Sequence, residues 1–176
     1  LEEARHFIAS TIGAESSQLI FTSGGTEANN LAFRTTRNMN YLVSGIEHDS
    51  VLASVPRAIR IPVDRDGVIN IETLQDLLSR QTKPTLVSVM LANNETGVIQ
   101  PLDKIVTIAR TYNAIVHCDA VQALGKLSID MNALGVDLMT LSAHKIGGPK
   151  GIGILALGPN AQLKAGLVGG GQERRR

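Results

Sequence analysis

A chain of 176 residues with 43% apolar and only 3% aromatic residues carries enough apolar material for one substantial core, built from Leu, Ile, Val and Ala without any tryptophan. Its formal net charge of +1 gives no reason to expect nucleic acid or an anionic membrane as a partner. One cysteine excludes an internal disulfide and a cysteine-rich metal site, and the longest uncharged run, Gly151 to Leu163, falls well short of the roughly 20 apolar residues of a membrane helix.

Taken in chain order, a helical stretch from Leu1 to Ile12 precedes a short β-rich run, Leu19 to Thr22. The small-residue turn Ser23-Gly24-Gly25 then opens a helix over Thr26 to Thr36, with Glu27 in its first turn. Glycines let the backbone approach an anion, and the first free N–H groups of a helix point at it, so this turn is a candidate phosphate cup. A plain strand–turn–helix connection accounts for the same residues. It is neither the dinucleotide fingerprint nor a Walker loop, because Lys150 is followed by Gly151 and not by serine or threonine. Strands are expected at Tyr41 to Ser44 and Ala58 to Val63, with His48 between them readable as a surface histidine in a loop beside Glu47 and Asp49, and a helix at Ile71 to Ser79.

Thr85 to Leu91 reads as a fully buried central strand. Asn93-Asn94 reads as a turn, and the sequon Asn94-Glu95-Thr96 is taken as chance, with no secretory signal in view. Pro101 suits the first turn of a helix over Leu102 to Tyr112, whose Leu102, Ile105, Val106 and Ala109 form an apolar face. Strands at Ala114 to Cys118, Asp137 to Ser142 and Ile152 to Leu157 complete the series. Short strands alternating with helices predict an α/β fold, a three-layer αβα sandwich around a mostly parallel sheet, as one domain over residues 1–176. Cys118 is read as core, since nothing local makes an exposed, activated thiolate of it.

Two positions carry chemistry. Asp119 ends a strand, where open α/β sheets bind ligands, and an acid there could pair with a pyridinium nitrogen; it also suits the N-cap of a segment starting near Ala120, and both roles can hold at once. Ser142-Ala143-His144-Lys145 runs into the glycine-rich segment Gly147 to Gly153. A lysine in such a loop, its amine partly desolvated, is a candidate nucleophile toward a carbonyl, although most lysines are solvated surface groups. Aspartate plus lysine is the minimal pair for pyridoxal phosphate.

The ordered blocks Thr22-Ser23-Gly24-Gly25-Thr26-Glu27-Ala28-Asn29-Asn30, Glu47-His48, Asn93-Asn94-Glu95-Thr96-Gly97, His117-Cys118-Asp119-Ala120-Val121-Gln122, Ser142-Ala143-His144-Lys145, Gly148-Pro149-Lys150-Gly151 and Gly169-Gly170-Gly171-Gln172-Glu173-Arg174 together resemble the cysteine desulfurases. These are pyridoxal 5'-phosphate enzymes of the class V aminotransferase group, with the fold type I large domain. The resemblance implies conversion of L-cysteine to L-alanine, with transfer of sulfur to an enzyme cysteine for iron–sulfur cluster or thio-cofactor biosynthesis. It implies that Lys145 binds the cofactor covalently and moves the substrate Cα proton, and that Asp119 keeps the pyridine nitrogen protonated. His48 would stack on the ring and act as acid and base. Asn94 and Gln122 would bond the phenolic oxygen, while Gly25, Thr26, Ser142 and His144 would hold the phosphate.

It further implies a homodimer and a sulfur-acceptor or scaffold protein as partner; no metal site is expected. The cysteine that receives sulfur in the family has no counterpart in this sequence, and the family's N-terminal segment and C-terminal small domain are expected to be missing. A cytoplasmic location is expected, subject to whatever precedes Leu1. Three alternatives stand: a selenocysteine lyase or aminotransferase of the same fold, a non-catalytic fragment or scaffold, and a nucleotide-binding module using Gly24-Gly25-Thr26.

Overall fold

In a computed structural model, which describes residues 1–159, 161, 171 and 173, the strands form one seven-stranded sheet. They are β1 (Leu19–Thr22), β2 (Asn40–Ser44), β3 (Ile59–Ile61), β4 (Thr85–Ser88), β5 (Ile115–Asp119), β6 (Leu138–Ser142) and β7 (Gly153–Leu157), in the order β1-β7-β6-β5-β4-β2-β3. Pairings among β2 to β6 are parallel, and β7 runs antiparallel to both of its neighbours. Because β7 reverses direction between β1 and β6, β1 ends at the same edge as the parallel strands.

The helices are α1 (Glu2–Thr11), α2 (Gly25–Thr35), α3 (Asp49–Leu52), α4 (Ile71–Ser79), α5 (Leu102–Thr111) and α6 (Met131–Leu134). Alternation along the strands divides their side chains between two apolar cores. Leu42, Val87, Val116, Met139 and Ala156 pack with residues of α1, α4, α5 and α6. Their neighbours Val43, Leu86, Leu138 and Leu155 pack with Ala28, Ala32 and Phe33 of α2 and Val51 of α3. A period of two on a sheet covered on both faces produces this division, and it confirms the expected three-layer αβα architecture.

Local chemistry sets the element ends. Asn70 caps α4 by accepting the Thr73 N–H at 2.8 Å, and Asp130 caps α6 by accepting that of Ala133 at 2.9 Å. The expected apolar face of α5 is buried in full: Leu102, Ile105, Val106 and Ala109. β3 is shorter than expected because Pro62 cannot donate to a ladder. β4 ends at Ser88 and not at Leu91, although Val89 and Leu91 still donate to the carbonyls of His117 and Asp119 at 3.0 and 2.9 Å.

Of the block Gly169 to Arg174, residues Gly169, Gly170, Gln172 and Arg174 lie outside the described residues. Glu173 pairs through both oxygens with Arg5 at 2.9 Å and accepts the Phe21 N–H at 2.8 Å, which ties this residue to α1 and β1. Among the described residues no helix is long and apolar enough to cross a membrane.

Candidate active site

The carboxyl ends of β1, β2, β4, β5 and β6 share one edge, and every side chain expected at the site lines a single cavity of about 460 Å³ there. That is where an open α/β sheet collects its ligands.

At the mouth of β1, Gly24 precedes α2 with no side-chain cap, and Glu27 turns back to accept the Ser23 N–H at 2.6 Å. Gly25 and Thr26 thus open the helix with their N–H groups toward the cavity edge. The approach of β7 fixes this turn, since a Cβ on Gly153 would stand 2.3 Å from the carbonyl carbon of Gly24. Across the cavity, Ser142 ends β6 buried, with its Oγ 2.8 Å from His144 Nδ1. A single turn of 3₁₀-helix over Ala143–Ile146 then carries His144 and Lys145, both exposed, and ends at Gly147, whose φ of 81° suits glycine. The sequence leaves Lys145 open between a partly desolvated amine and a solvated surface lysine; among the described residues it stands exposed on the cavity rim, on a one-turn helix followed by glycines.

Asp119 is the last residue of β5, 5% exposed. Its Oδ1 accepts the Val121 N–H at 3.0 Å and its Oδ2 accepts Asn29 Nδ2 at 2.9 Å. The first bond closes a turn at Ala120, where the sequence allows a helix N-cap; no helix follows. Burial pushes the carboxyl up, against the hydrogen bonds from Asn29 and Val121 and the charge of His48. A cation facing Asp119 would offset that burial.

His48 is exposed and caps α3, its Nδ1 accepting the Ser50 N–H at 3.1 Å and standing 2.8 Å from Ser50 Oγ. Its neighbour Glu47 is buried, bonded through Oε1 to the Met90 N–H, and pushed up to about 8 by burial and by the charge of Asp119. Asn94 and Gln122 reach the cavity from the loops after β4 and β5, and Gln122 Oε1 accepts Lys126 Nζ at 2.7 Å. Asn93, by contrast, is structural: its Oδ1 takes the N–H groups of Glu95 and Thr96, both at 2.9 Å.

Sequence reasoning leaves out Asn29, Ser50 and Met90, which also line the cavity. Asn29 had a signal: it is a polar residue beside Ala28, Ala32 and Phe33 on the buried stripe of α2. Cys118 points to the opposite face of β5, fully buried, and burial pushes its thiol well up. Among the described residues no group of three or more His, Cys, Asp or Glu could hold a metal ion.

The cavity therefore offers a helix start with hydroxyl and imidazole donors at one end, a buried carboxylate at its floor and an amine at its rim. That donor set fits a phosphorylated ring compound with a basic nitrogen and a carbonyl, and such a fold and site define a transferase-type α/β enzyme domain. The chain belongs to the aminotransferase class-V family, whose model matches residues 1–175. It is 39% identical over 186 aligned positions to the cysteine desulfurase IscS of Dictyoglomus turgidum, covering 98% of this chain and 47% of that protein. To the mitosomal cysteine desulfurase of Trachipleistophora hominis it is 41% identical, covering 99% and 43%. The solved NifS-like protein of Rickettsia africae superposes with a TM-score of 0.90 at 36% identity, over 99% of this chain and 50% of that one. The chain thus spans about half the length of the relatives it matches.

Proposed function

We propose that this chain is the cofactor-binding large domain of a cysteine desulfurase. It holds pyridoxal 5'-phosphate, takes L-cysteine to L-alanine and passes the sulfur to a cysteine thiol for iron–sulfur cluster or thio-cofactor assembly. The observation that carries the reading is the meeting of buried Asp119 and the Lys145 amine on one cavity in a member of this family.

Bound there, the cofactor supplies an electron sink for the charge that develops as the substrate Cα loses its proton. Lys145 would bind it covalently and carry that proton. Asp119, ionised against a protonated ring nitrogen, would keep the sink electron-poor. Gly25, Thr26, Ser142 and His144 would hold the phosphate, and Asn94 and Gln122 the phenolic oxygen. With Gln122 Oε1 engaged by Lys126, its Nε2 is the atom left to donate. His48 would give and take the protons of the substrate amine and sulfur.

Overall, the Cβ–S bond of cysteine breaks and an S–S bond forms, so that L-cysteine and a thiol yield L-alanine and a persulfide with no outside oxidant. Buried Cys118 is unsuited to receive that sulfur, so the receiving thiol comes from another part of the protein or from a partner. Homodimerisation and a cytoplasmic location belong to the same proposal.

The test is reduction of the protein with borohydride in the presence of pyridoxal phosphate, followed by mass spectrometry. The expected result is one stable adduct on Lys145, abolished in Lys145→Ala. An adduct scattered over the exposed lysines would overturn the reading.

A further inference from the structure

The hydrogen bonds around His48 have a direction that its exposure conceals. A backbone N–H can only donate, so the bond from Ser50 N at 3.1 Å makes His48 Nδ1 an acceptor. Ser50 Oγ lies 2.8 Å from the same nitrogen. Asn29 Nδ2 donates to Ser50 Oγ at 2.9 Å and to Asp119 Oδ2 at 2.9 Å. With an oxygen lone pair occupied by Asn29, Ser50 has its own hydrogen to give, and Nδ1 is the acceptor within reach. The amide orientation of Asn29 is fixed as well. Turned over, its Oδ1 would face the Asp119 carboxylate, whereas as placed it leaves Oδ1 buried without a partner. That one unpaired oxygen is the cost of aiming both N–H groups at Asp119 and Ser50.

We propose that Ser50, aimed by Asn29, is a positioning residue that joins Asp119 to His48 and holds His48 as its Nε2–H tautomer. Nδ1 is then committed to the first turn of α3, and Nε2 is the nitrogen that His48, among the described residues, has left for the cavity it lines. In the neutral ring that nitrogen carries the hydrogen. His48 therefore meets a ligand as a hydrogen-bond donor, suited to an anionic sulfur or a carboxylate oxygen. This gives the acid–base group of the proposed function a defined starting state and rests on that reading for its catalytic meaning; the tautomer itself does not.

The experiment is side-chain ¹⁵N NMR of the 176-residue chain, with the His48 ring assigned by comparison with His48→Gln. The native protein is expected to show the Nε2–H form as the main neutral species. Ser50→Ala keeps the backbone donor and loses the hydroxyl. It is expected to lower the ratio of Nε2–H to Nδ1–H roughly fivefold, the equivalent of about 1 kcal/mol for one hydrogen bond, and Ser50→Thr, which restores a hydroxyl, to recover it. A native Nδ1–H form, an unchanged ratio in Ser50→Ala, or a Ser50→Thr ratio equal to that of Ser50→Ala would each overturn the proposal. Because the readout needs no cofactor, it separates from the labelling of Lys145. A locked tautomer without the adduct would sink the function and keep this inference, and the reverse pair of results would do the opposite.

Discussion

Under α1, α4, α5 and α6 the sheet presents Leu42, Val87, Val116, Met139 and Ala156, all fully buried; under α2 and α3 the same strands present Ser88, His117, Asp119 and Thr140, buried almost as completely. The apolar face needs only shape. The polar face has to find a partner for each group it hides, and most of it does. His117 stands between Ser88 Oγ, 2.9 Å from Nδ1, and Thr140 Oγ1, 3.1 Å from Nε2, with the Phe33 ring steeply inclined to its own at a centroid distance of 5.4 Å. Burial pushes its pKa down to about 3, so it stays neutral. The two buried side-chain atoms without partners among the described residues, Asn29 Oδ1 and Glu47 Oε2, both belong to groups coupled to Asp119: Asn29 donates to its carboxylate, and its charge helps to push Glu47 up. Both faces carry an apolar core, but the second adds these buried polar groups to it, and the unsatisfied atoms lie beside the cavity.

The comparison breaks most visibly if damage to the apolar face reaches the site. Ile105→Ala empties a fully buried position on α5 and is expected to cost about 2–5 kcal/mol, as large-to-small core changes do, read as a lower urea midpoint. Below that midpoint the borohydride adduct on Lys145 should form as in the native protein. Loss of the adduct while the fold persists would mean that the two faces are not independent.

Glu47 sharpens the comparison from the polar side. Its carboxyl is pushed up to about 8 in the fold from an ordinary value of 4.5, so between those values the folded protein binds a proton that the unfolded chain has released. Stability is therefore lost as pH rises through this window and is fully kept only below it. Glu47→Gln retains an oxygen for the Met90 N–H and has no proton to lose. It is expected to equal the native protein near pH 5 and to exceed it above pH 8 in thermal melts. Parallel curves for the two proteins across that range would show that Glu47 is already ionised in the fold.

The same contrast explains what the sequence makes legible. All seven strands and the four long helices follow from hydrophobic period and turn residues, because burial of a face writes itself along ten residues. α3 and α6 have four residues each, too few for a period, and go unseen. All nine expected site residues line the cavity, because strand ends place them there whatever the side-chain detail. Ser50 is missed since its role depends on Asn29, 21 residues away in the chain, and no local pattern encodes that contact. The choice between a desolvated and a solvated Lys145 is not legible for the related reason that desolvation depends on what packs over a loop.

The smallest expected effect concerns an exposed ion pair on the far side of the apolar core. Arg80 Nη2 lies 2.7 Å from Asp76 Oδ1 at the end of α4, with the side chains 70% and 50% exposed. Asp76→Ala removes an i,i+4 attraction of about 0.3–0.5 kcal/mol. It also removes a carboxylate from the last turns of a helix, where the macrodipole disfavours negative charge by a similar amount. The two changes nearly cancel, so the urea midpoint should move little, and less still in 1 M salt, where charges are screened within about 3 Å. A loss above about 1 kcal/mol would mean that geometry alone makes a polar pair valuable. A near-zero result would tie the worth of the Asp119, Asn29 and Ser50 bonds to their burial.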